Sequence, residues 1–192
     1  MSVLGMIEFR TITRGMLGSD AMVKAAPVEM LESHPIDPGK YLAVVTGELA
    51  SVEASIAAGV DVGGDGVVRS FVLANLHDQV LPVLRGSAKP PAMDALGVIE
   101  TTSAAAIVEA ADAACKASSV QLITLHLALR IGGKGYTTFT GDVADVEAAV
   151  EAGARVAGSE LVEQLVIPNP YADFYVHVLR RIEPQMHTDG HR

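Results

Sequence analysis

The chain has 192 residues, of which 49% are hydrophobic and 19% charged, with a formal net charge of −9, one cysteine and no tryptophan. The acidic balance argues against nucleic acid as a partner, because phosphate binding needs a basic surface. One cysteine excludes an internal disulfide, and without a run of about 18 apolar residues no membrane span is expected. A chain this apolar and weakly charged is typical of a protein that buries surface in an assembly.

The first half of the chain predicts the element order β-α-β-β-α-β, followed by a short helix. The first helix is expected to end before Pro27, because proline lacks a backbone donor and disfavours helix in the residue before it. Proline and glycine around residues 35–39 predict a turn. In chain order, the predicted strands are residues 3–9, 28–34, 40–46 and 67–73, and the predicted helices are residues 11–26, 47–63 and 76–84.

The second half of the chain repeats the first. Leu4-Gly5-Met6-Ile7-Glu8 matches Leu96-Gly97-Val98-Ile99-Glu100, 92 residues later, and the same spacing pairs His34 with His126. Two extra residues then enter the second copy, so that Gly39-Lys40 matches Gly133-Lys134. The repeat predicts an internal duplication.

The predicted organisation is two tandem domains of one fold. Residues 1–86 form the first domain and residues 96–182 the second. Residues 87–95 form a Gly-, Ser- and Pro-containing linker, and residues 183–192 a disordered polar tail. The fold class is α+β, and the element order is that of the ferredoxin-like, split β-α-β pattern. This pattern hosts many unrelated functions, so it does not by itself indicate one.

A series of short motifs carries a more specific resemblance. In the second copy the motifs occupy residues 96–100, 111–117, 131–134, 141–143 and 167–170, and the first copy carries a matching series. The series closely resembles that of bacterial microcompartment shell domains, over about residues 3–180. Two such domains, not circularly permuted, resemble the tandem-domain, trimer-forming class, and within it the T-type shell proteins of propanediol-utilisation compartments.

The resemblance implies a structural protein without catalytic residues. Three chains are expected to form a homotrimer shaped as a flat pseudohexamer. It would tile edge to edge with the hexamers and pentamers of other shell proteins, in the shell of a compartment within the bacterial cytoplasm. A central pore would pass selected small-molecule metabolites. No contact with nucleic acid or membrane is expected.

The loops between the second and third strands of each copy are the expected pore lining. They comprise Asp37, Pro38 and Gly39 in the first copy and Ile131, Gly132 and Gly133 in the second. Three copies of Asp37 around an axis would attract cations, with Lys40 and Lys134 moderating that charge. The alternatives are that Asp37 is only a turn residue and that the two glycines form an ordinary hairpin turn.

The resemblance also raises the question of a cofactor. In the T-type relatives, a cysteine in the position of Asp37 holds an iron–sulfur cluster on the threefold axis. Such clusters need thiolate ligands, and Cys115 falls in a predicted helix. We therefore expect no iron–sulfur cluster, no other cofactor and no metal, the alternative to the last being a divalent cation weakly bound by the Asp37 carboxylates.

Four further residues are assigned from the repeat. Lys24 and Lys116 match the lysine at the edges between neighbouring assemblies in the family, the alternative being a helix lysine paired with the aspartate one turn before it. His34 and His126 are interpreted as structural histidines. Cys115 lies opposite Val23 in the repeat and is expected to be a small core residue.

Two other functional classes remain as alternatives. A ferredoxin-like trimeric sensor or regulator of small molecules would respond to a ligand and never form sheets. An enzyme would need a triad, paired carboxylates, a metal-ligand cluster or a dinucleotide fingerprint, and the sequence shows none of these.

Overall fold

The computed structural model describes residues 2–86, 94–171 and 174. Domain 1 denotes residues 2–86 and domain 2 residues 94–171. The strands are β1 (Ser2–Phe9), β2 (Glu29–Ile36), β3 (Lys40–Thr46), β4 (Val67–Leu76), β5 (Ala95–Thr101), β6 (Gln121–Leu127), β7 (Gly135–Gly141) and β8 (Leu161–Ile167). The helices are α1 (Ile12–Ala25), α2 (Leu49–Gly63), α3 (Val80–Leu84), α4 (Ala104–Ala117) and α5 (Val143–Ala157).

Each domain contains one four-stranded antiparallel sheet. The spatial orders are β2-β3-β1-β4 and β6-β7-β5-β8. This is the split β-α-β arrangement, because the first strand of each copy lies between the third and the fourth. The predicted fold class, the duplication and the unpermuted strand order are confirmed.

The helix boundaries follow from local capping chemistry. Thr11 and Ser103 precede α1 and α4, and each side chain accepts a backbone hydrogen bond from the first turn. Gly64 and Gly158 follow α2 and α5 with φ values of 50° and 54°, the left-handed conformation that glycine adopts without strain. The two copies therefore begin and end their helices by the same devices.

Several boundaries differ from the sequence prediction, among them the ends of β2 and β4 and the start of α3. Strand β2 extends through Pro35 to Ile36, and Pro35 is tolerated because β2 is an edge strand whose ladder is on one side only. Strand β4 continues to Leu76, which pairs with Ser2. Helix α3 therefore begins only at Val80.

Strand β1 is buried on both faces. Val3, Ile7 and Phe9 pack with the helix layer of domain 1. Leu4 and Met6 on the other face belong to a larger hydrophobic cluster, which also contains α3 and the core of domain 2. The two domains thus share one core.

Parts of the predicted organisation lie outside the described residues. They include residues 87–93 of the predicted linker and the predicted tail 183–192, and Ala95 is the first residue of β5. Among the described residues, no helix combines the length and the apolar character needed to cross a membrane.

Candidate functional site

The two loops assigned to the pore contact each other within the chain. The Asp37 backbone N–H donates to the Ala128 carbonyl at 3.3 Å. The Gly132 N–H donates to Asp37 Oδ2 at 3.0 Å. A Cβ atom on Gly133 would lie 2.9 Å from the Asp37 carbonyl oxygen. The structure thus brings together the two sets of residues that the sequence placed in separate copies.

The conformation of both loops requires glycine. Gly39, Gly132 and Gly133 have φ values of 86°, 70° and 85°, and the Asp37–Pro38 peptide bond is cis. Pro38, Gly39 and Gly132 are exposed, while Asp37, Ile131 and Gly133 are half-buried. The exposed backbone leaves room for a neighbouring molecule or solute.

The two lysines beside these loops are each engaged in an ion pair. Lys40 Nζ lies 2.6 Å from Glu8 Oε1, and the Glu8 side chain is only 2% exposed. Lys134 Nζ lies 2.7 Å from Glu100 Oε1, at the matching position of the second copy. Each lysine charge is thus paired with a carboxylate within the chain, and the expectation that the two lysines moderate the charge of Asp37 stays a prediction.

Arg130 is the loop cation that the sequence analysis missed. It is exposed, has a φ of 63°, and forms no ion pair with any residue that the structure describes. Ala128 beside it has a φ of 59°, so two non-glycine residues of this loop are left-handed. The two-residue insertion in the second copy was the available signal, because it lengthens this loop.

Lys24 and Lys116 each pair with the aspartate one turn earlier. Both Nζ–Oδ2 distances, to Asp20 and to Asp112, are 2.5 Å. Asp20 is 54% exposed, whereas Asp112 is 9% exposed. The single chain therefore contains the ion pairs of the alternative interpretation, and the edge role of the two lysines stays a prediction.

The repeat-related histidines have different environments. His34 Nε2 lies 3.0 Å from Glu32 Oε2, and this hydrogen bond raises the pKa of His34. His126 stacks on Tyr136 at 5.1 Å between ring centroids, and burial lowers its pKa. Neither arrangement forms a ligand cluster, and in the described part of the chain no three His, Cys, Asp or Glu side chains could hold a metal ion.

Cys115 is buried in α4. Its side chain is 4% exposed, and burial, with the nearby Asp112 charge, raises the pKa of its thiol to about 12. A neutral, enclosed thiol is a poor metal ligand and nucleophile. The donor set at the two contacting loops, a carboxylate and backbone groups at Asp37, does not fit an iron–sulfur cluster, because the one thiol in the sequence is the buried Cys115.

An ionic cluster joins the two domains. The guanidinium of Arg69, on β4 of domain 1, forms ion pairs with Glu109 on α4 and with Glu160 of domain 2. Ser103 donates a hydrogen bond to the second oxygen of Glu160. Burial raises the pKa of Glu109, against the opposing effect of the Arg69 charge. Arg69 therefore holds two neighbouring carboxylates in one contact.

Backbone hydrogen bonds continue the same contact. The His77 N–H donates to Asp112 Oδ1 at 2.7 Å. The Gln79 side chain donates to the Val120 carbonyl and accepts from the Leu122 N–H, both at 2.8 Å. The end of β4 and the start of α3 thus lie against α4 and β6. We call this contact the domain junction.

Each domain carries both sides of such a junction, but among residues 2–86 and 94–171 only one of each is filled. Helix α4 is covered by domain 1, and ten of its residues are buried, whereas only four residues of the repeat-related α1 are buried. The large exposed side chains on α1 are Ile12, Met16, Leu17 and Val23. In domain 2, β8 and the residues that follow it correspond to β4 and the residues that follow it in domain 1. On this surface Leu165 is 43% and Tyr171 is 76% exposed.

Comparison with known proteins gives consistent similarities. The family model of the BMC domain matches residues 3–76 and 95–170. The chain is 42% identical over 174 residues to the bacterial microcompartment shell protein PduT of Citrobacter freundii, covering 90% of this chain and 95% of that protein. It is 45% identical over 84 residues to the bacterial microcompartment shell protein EutM of Escherichia coli K12, covering 42% of this chain and 84% of that protein. A solved structure of a microcompartment protein from Desulfitobacterium hafniense matches with a TM-score of 0.87 and 40% identity, covering 92% of this chain and 99% of the other.

Proposed function

Because this chain belongs to the BMC-domain family of bacterial microcompartment shell proteins, we propose that it assembles as a homotrimer, a ring of six domains, that tiles the shell around a central pore. The family is structural and not catalytic, and we assign no enzymatic activity to the chain. The observation that carries the proposal is the domain junction, which is formed once within the chain, while the equivalent surfaces on α1 and β8 are exposed in the part of the chain that the structure describes.

The exposed surfaces on α1 and on β8 correspond to the two sides of the domain junction. The exposed apolar face of α1 corresponds to the α4 face that domain 1 covers, and the exposed residues of β8 and beyond correspond to the β4 side that covers it. A head-to-tail contact that repeats one junction closes into a ring if the rotation permits. Asp20 would then accept a backbone hydrogen bond from Tyr171 of the neighbour, as Asp112 accepts one from His77.

The pore of this trimer would be lined by the two contacting loops. Their residues are Asp37, Pro38, Gly39, Ile131, Gly132 and Gly133. Since Lys40 and Lys134 are paired, the charge that a metabolite meets depends on Asp37 and Arg130. Pore selectivity follows from the width and charge of such a ring. The lysines Lys24 and Lys116 remain candidates for contacts with neighbouring hexamers and pentamers.

The native mass tests the trimer first. Three chains of 20.0 kDa should give a particle of about 60 kDa at low concentration, because closed cyclic symmetry is the usual outcome of head-to-tail contacts. Light scattering coupled to gel filtration measures it, and electron microscopy of concentrated protein should show flat sheets. A stable monomer or dimer would refute the trimer. A trimer that responds to a small ligand and never forms sheets would favour the sensor alternative.

A second prediction concerns the iron–sulfur cluster. Anaerobic reconstitution with iron and sulfide should leave the natural trimer without stoichiometric iron, because Asp37 offers oxygen where a cluster needs thiolate. The Asp37→Cys variant is the matched control, since it places three thiols around the proposed axis. Iron and sulfide assays and the visible absorption spectrum measure the outcome. Equal iron uptake by both proteins would contradict the assignment.

A further inference from the structure

We infer that the junction between chains uses an ion pair of reversed polarity, Glu163 of one chain with Arg14 of the next, and that this pair gives the contact between domain 2 of one chain and domain 1 of the next its charge preference. The inference rests on the proposed trimer and adds the residues that select its partner. Its basis is the register of the two copies at the domain junction.

The strand register places Glu163 where domain 1 has Arg69. Arg69 pairs with Glu8 across β4 and β1, and Glu163 pairs with Glu100 across β8 and β5. Glu8 and Glu100 are repeat equivalents, so Arg69 on β4 and Glu163 on β8 occupy equivalent positions in the two domains. Glu163 is exposed and forms no ion pair within the described part of the chain. The residue that reaches across the junction therefore changes from positive to negative.

The charge of the surface that would contact Glu163 also changes, from negative in domain 2 to positive in domain 1. Within the chain, Arg69 meets Glu109 and Glu160 of domain 2. Their equivalents in domain 1 are Leu17 and Gly66, so both carboxylates are missing there. The Arg10 N–H donates to the Gly66 carbonyl at 2.7 Å, as the Thr102 N–H donates to that of Glu160, which confirms the equivalence of the two sites.

The Arg14 side chain lies beside Gly66, the position in domain 1 that corresponds to Glu160. A Cβ atom on Gly66 would lie 3.0 Å from Arg14 Cγ, so the arginine stem passes over the site that corresponds to Glu160. Arg14 is exposed, and its guanidinium donates to the Val62 carbonyl at 3.2 Å. No carboxylate among the described residues pairs with it. A Glu163 side chain arriving from a neighbour in the same pose as Arg69 would meet this guanidinium.

The reversal makes wrong pairings repulsive. If domain 1 docked on domain 1 of another chain, Arg69 would face Arg14, and if domain 2 docked on domain 2, Glu163 would face Glu109 and Glu160. Like charges placed together at an interface disfavour the wrong partner more than opposite charges favour the right one. Because Arg69 is already paired with Glu109 and Glu160 within the chain, these repulsive pairings oppose an opened or exchanged domain junction, and the pairing of Glu163 with Arg14 is left as the attractive contact between chains.

The test is a charge swap in the full chain. Arg14→Glu alone and Glu163→Arg alone each place like charges at every junction between chains, so each should weaken the trimer about tenfold or more. The double variant restores opposite charges and should assemble within about threefold of the natural protein. Sedimentation equilibrium measures the dissociation constants. Circular dichroism checks folding, and Arg14→Gln and Glu163→Gln serve as milder variants.

The chain offers a matched control. Arg155 and Glu151 form an exposed ion pair within α5, and Arg155→Glu or Glu151→Arg makes the same charge changes outside the junction. These variants should leave the trimer unchanged. Single reversals at Arg14 and Glu163 without effect, or a double variant as weak as the singles, would overturn the inference while a wild-type trimer stands. A wild-type monomer would instead overturn the proposed trimer itself.

Discussion

Gly15→Ile is expected to destabilise domain 1 by about 3 kcal/mol or more, at the upper end of overpacking effects. Gly15 lies on α1 directly over Tyr41, and a Cβ atom there would lie 2.2 Å from the Tyr41 side chain. Tyr41 is 5% exposed on the central strand β3, so its ring has no open space to move into. Urea unfolding of the variant and the natural protein measures the difference.

In the second copy the small residue of this contact lies on the strand and the large residue on the helix, the reverse of the first copy. The equivalents of Gly15 and Tyr41 are Ile107 and Gly135, and a Cβ atom on Gly135 would lie 2.4 Å from Ile107 Cγ2. The double variant Gly15→Ile with Tyr41→Gly should therefore be more stable than Gly15→Ile alone. It would still lose the hydrogen bond of 2.9 Å between the Ser33 and Tyr41 hydroxyls.

Tyr41→Gly alone is the necessary comparison. It removes a buried ring and should cost about 3–5 kcal/mol, as large aromatic deletions do. Coupling between the two sites appears as a double variant that is more stable than the sum of the single effects predicts. Strictly additive losses would show that Gly15 and Tyr41 do not form one packing unit.

Met16→Asp is expected to abolish the trimer without unfolding the chain. Met16 is 56% exposed, but its equivalent on α4, Val108, is 0% exposed beneath domain 1. In the assembled ring an aspartate at this position would be buried without a partner and an apolar contact would be lost. The expected cost is about 3 kcal/mol or more per junction, which is roughly a hundredfold in the dissociation constant.

Val156→Asp is the control for this variant. Val156 is 53% exposed on α5. It remains exposed after the junction on the α4 side of domain 2 has formed within the chain, so it lies outside that junction. This substitution adds the same charge to an apolar surface site and should leave the native mass unchanged. Thermal unfolding of both variants checks that the fold is kept. A Met16→Asp protein that stays trimeric would place the contact between chains somewhere other than α1.

Local signals and the internal repeat together predicted most of the arrangement of elements. The duplication follows from comparing the two halves of the chain, the element order and the start of α1 beside Thr11 follow from short-range signals, and the structure confirms all three. Cys115 is buried as expected, but its repeat equivalent Val23 is 45% exposed, so the repeat does not explain this burial and the covering of α4 by domain 1 does. The predicted end of β2 was wrong. A strand tolerates Pro35 only if it lies at the edge of the sheet, and the place of β2 in the sheet is not a property of the residue itself.

The candidate site was only partly predictable. The sequence indicated both loops, but the contact between Asp37 and Gly132 joins residues 95 apart. The pairing of Lys40 with Glu8 likewise depends on β1 and β3 being neighbours. Arg130 was missed because an insertion marks a longer loop and does not say which of its side chains lacks a partner.

What the sequence by itself determined is the repeated fold and its family, because periodicity, capping and motif spacing are properties of neighbouring residues. What only the tertiary structure decided is which surfaces are covered. Helices α1 and α4 derive from the same element, yet α4 is buried and α1 exposes Met16 and Leu17. An apolar pattern shows that a face needs a partner, but the partner is chosen by long-range packing and charge, as at Arg69.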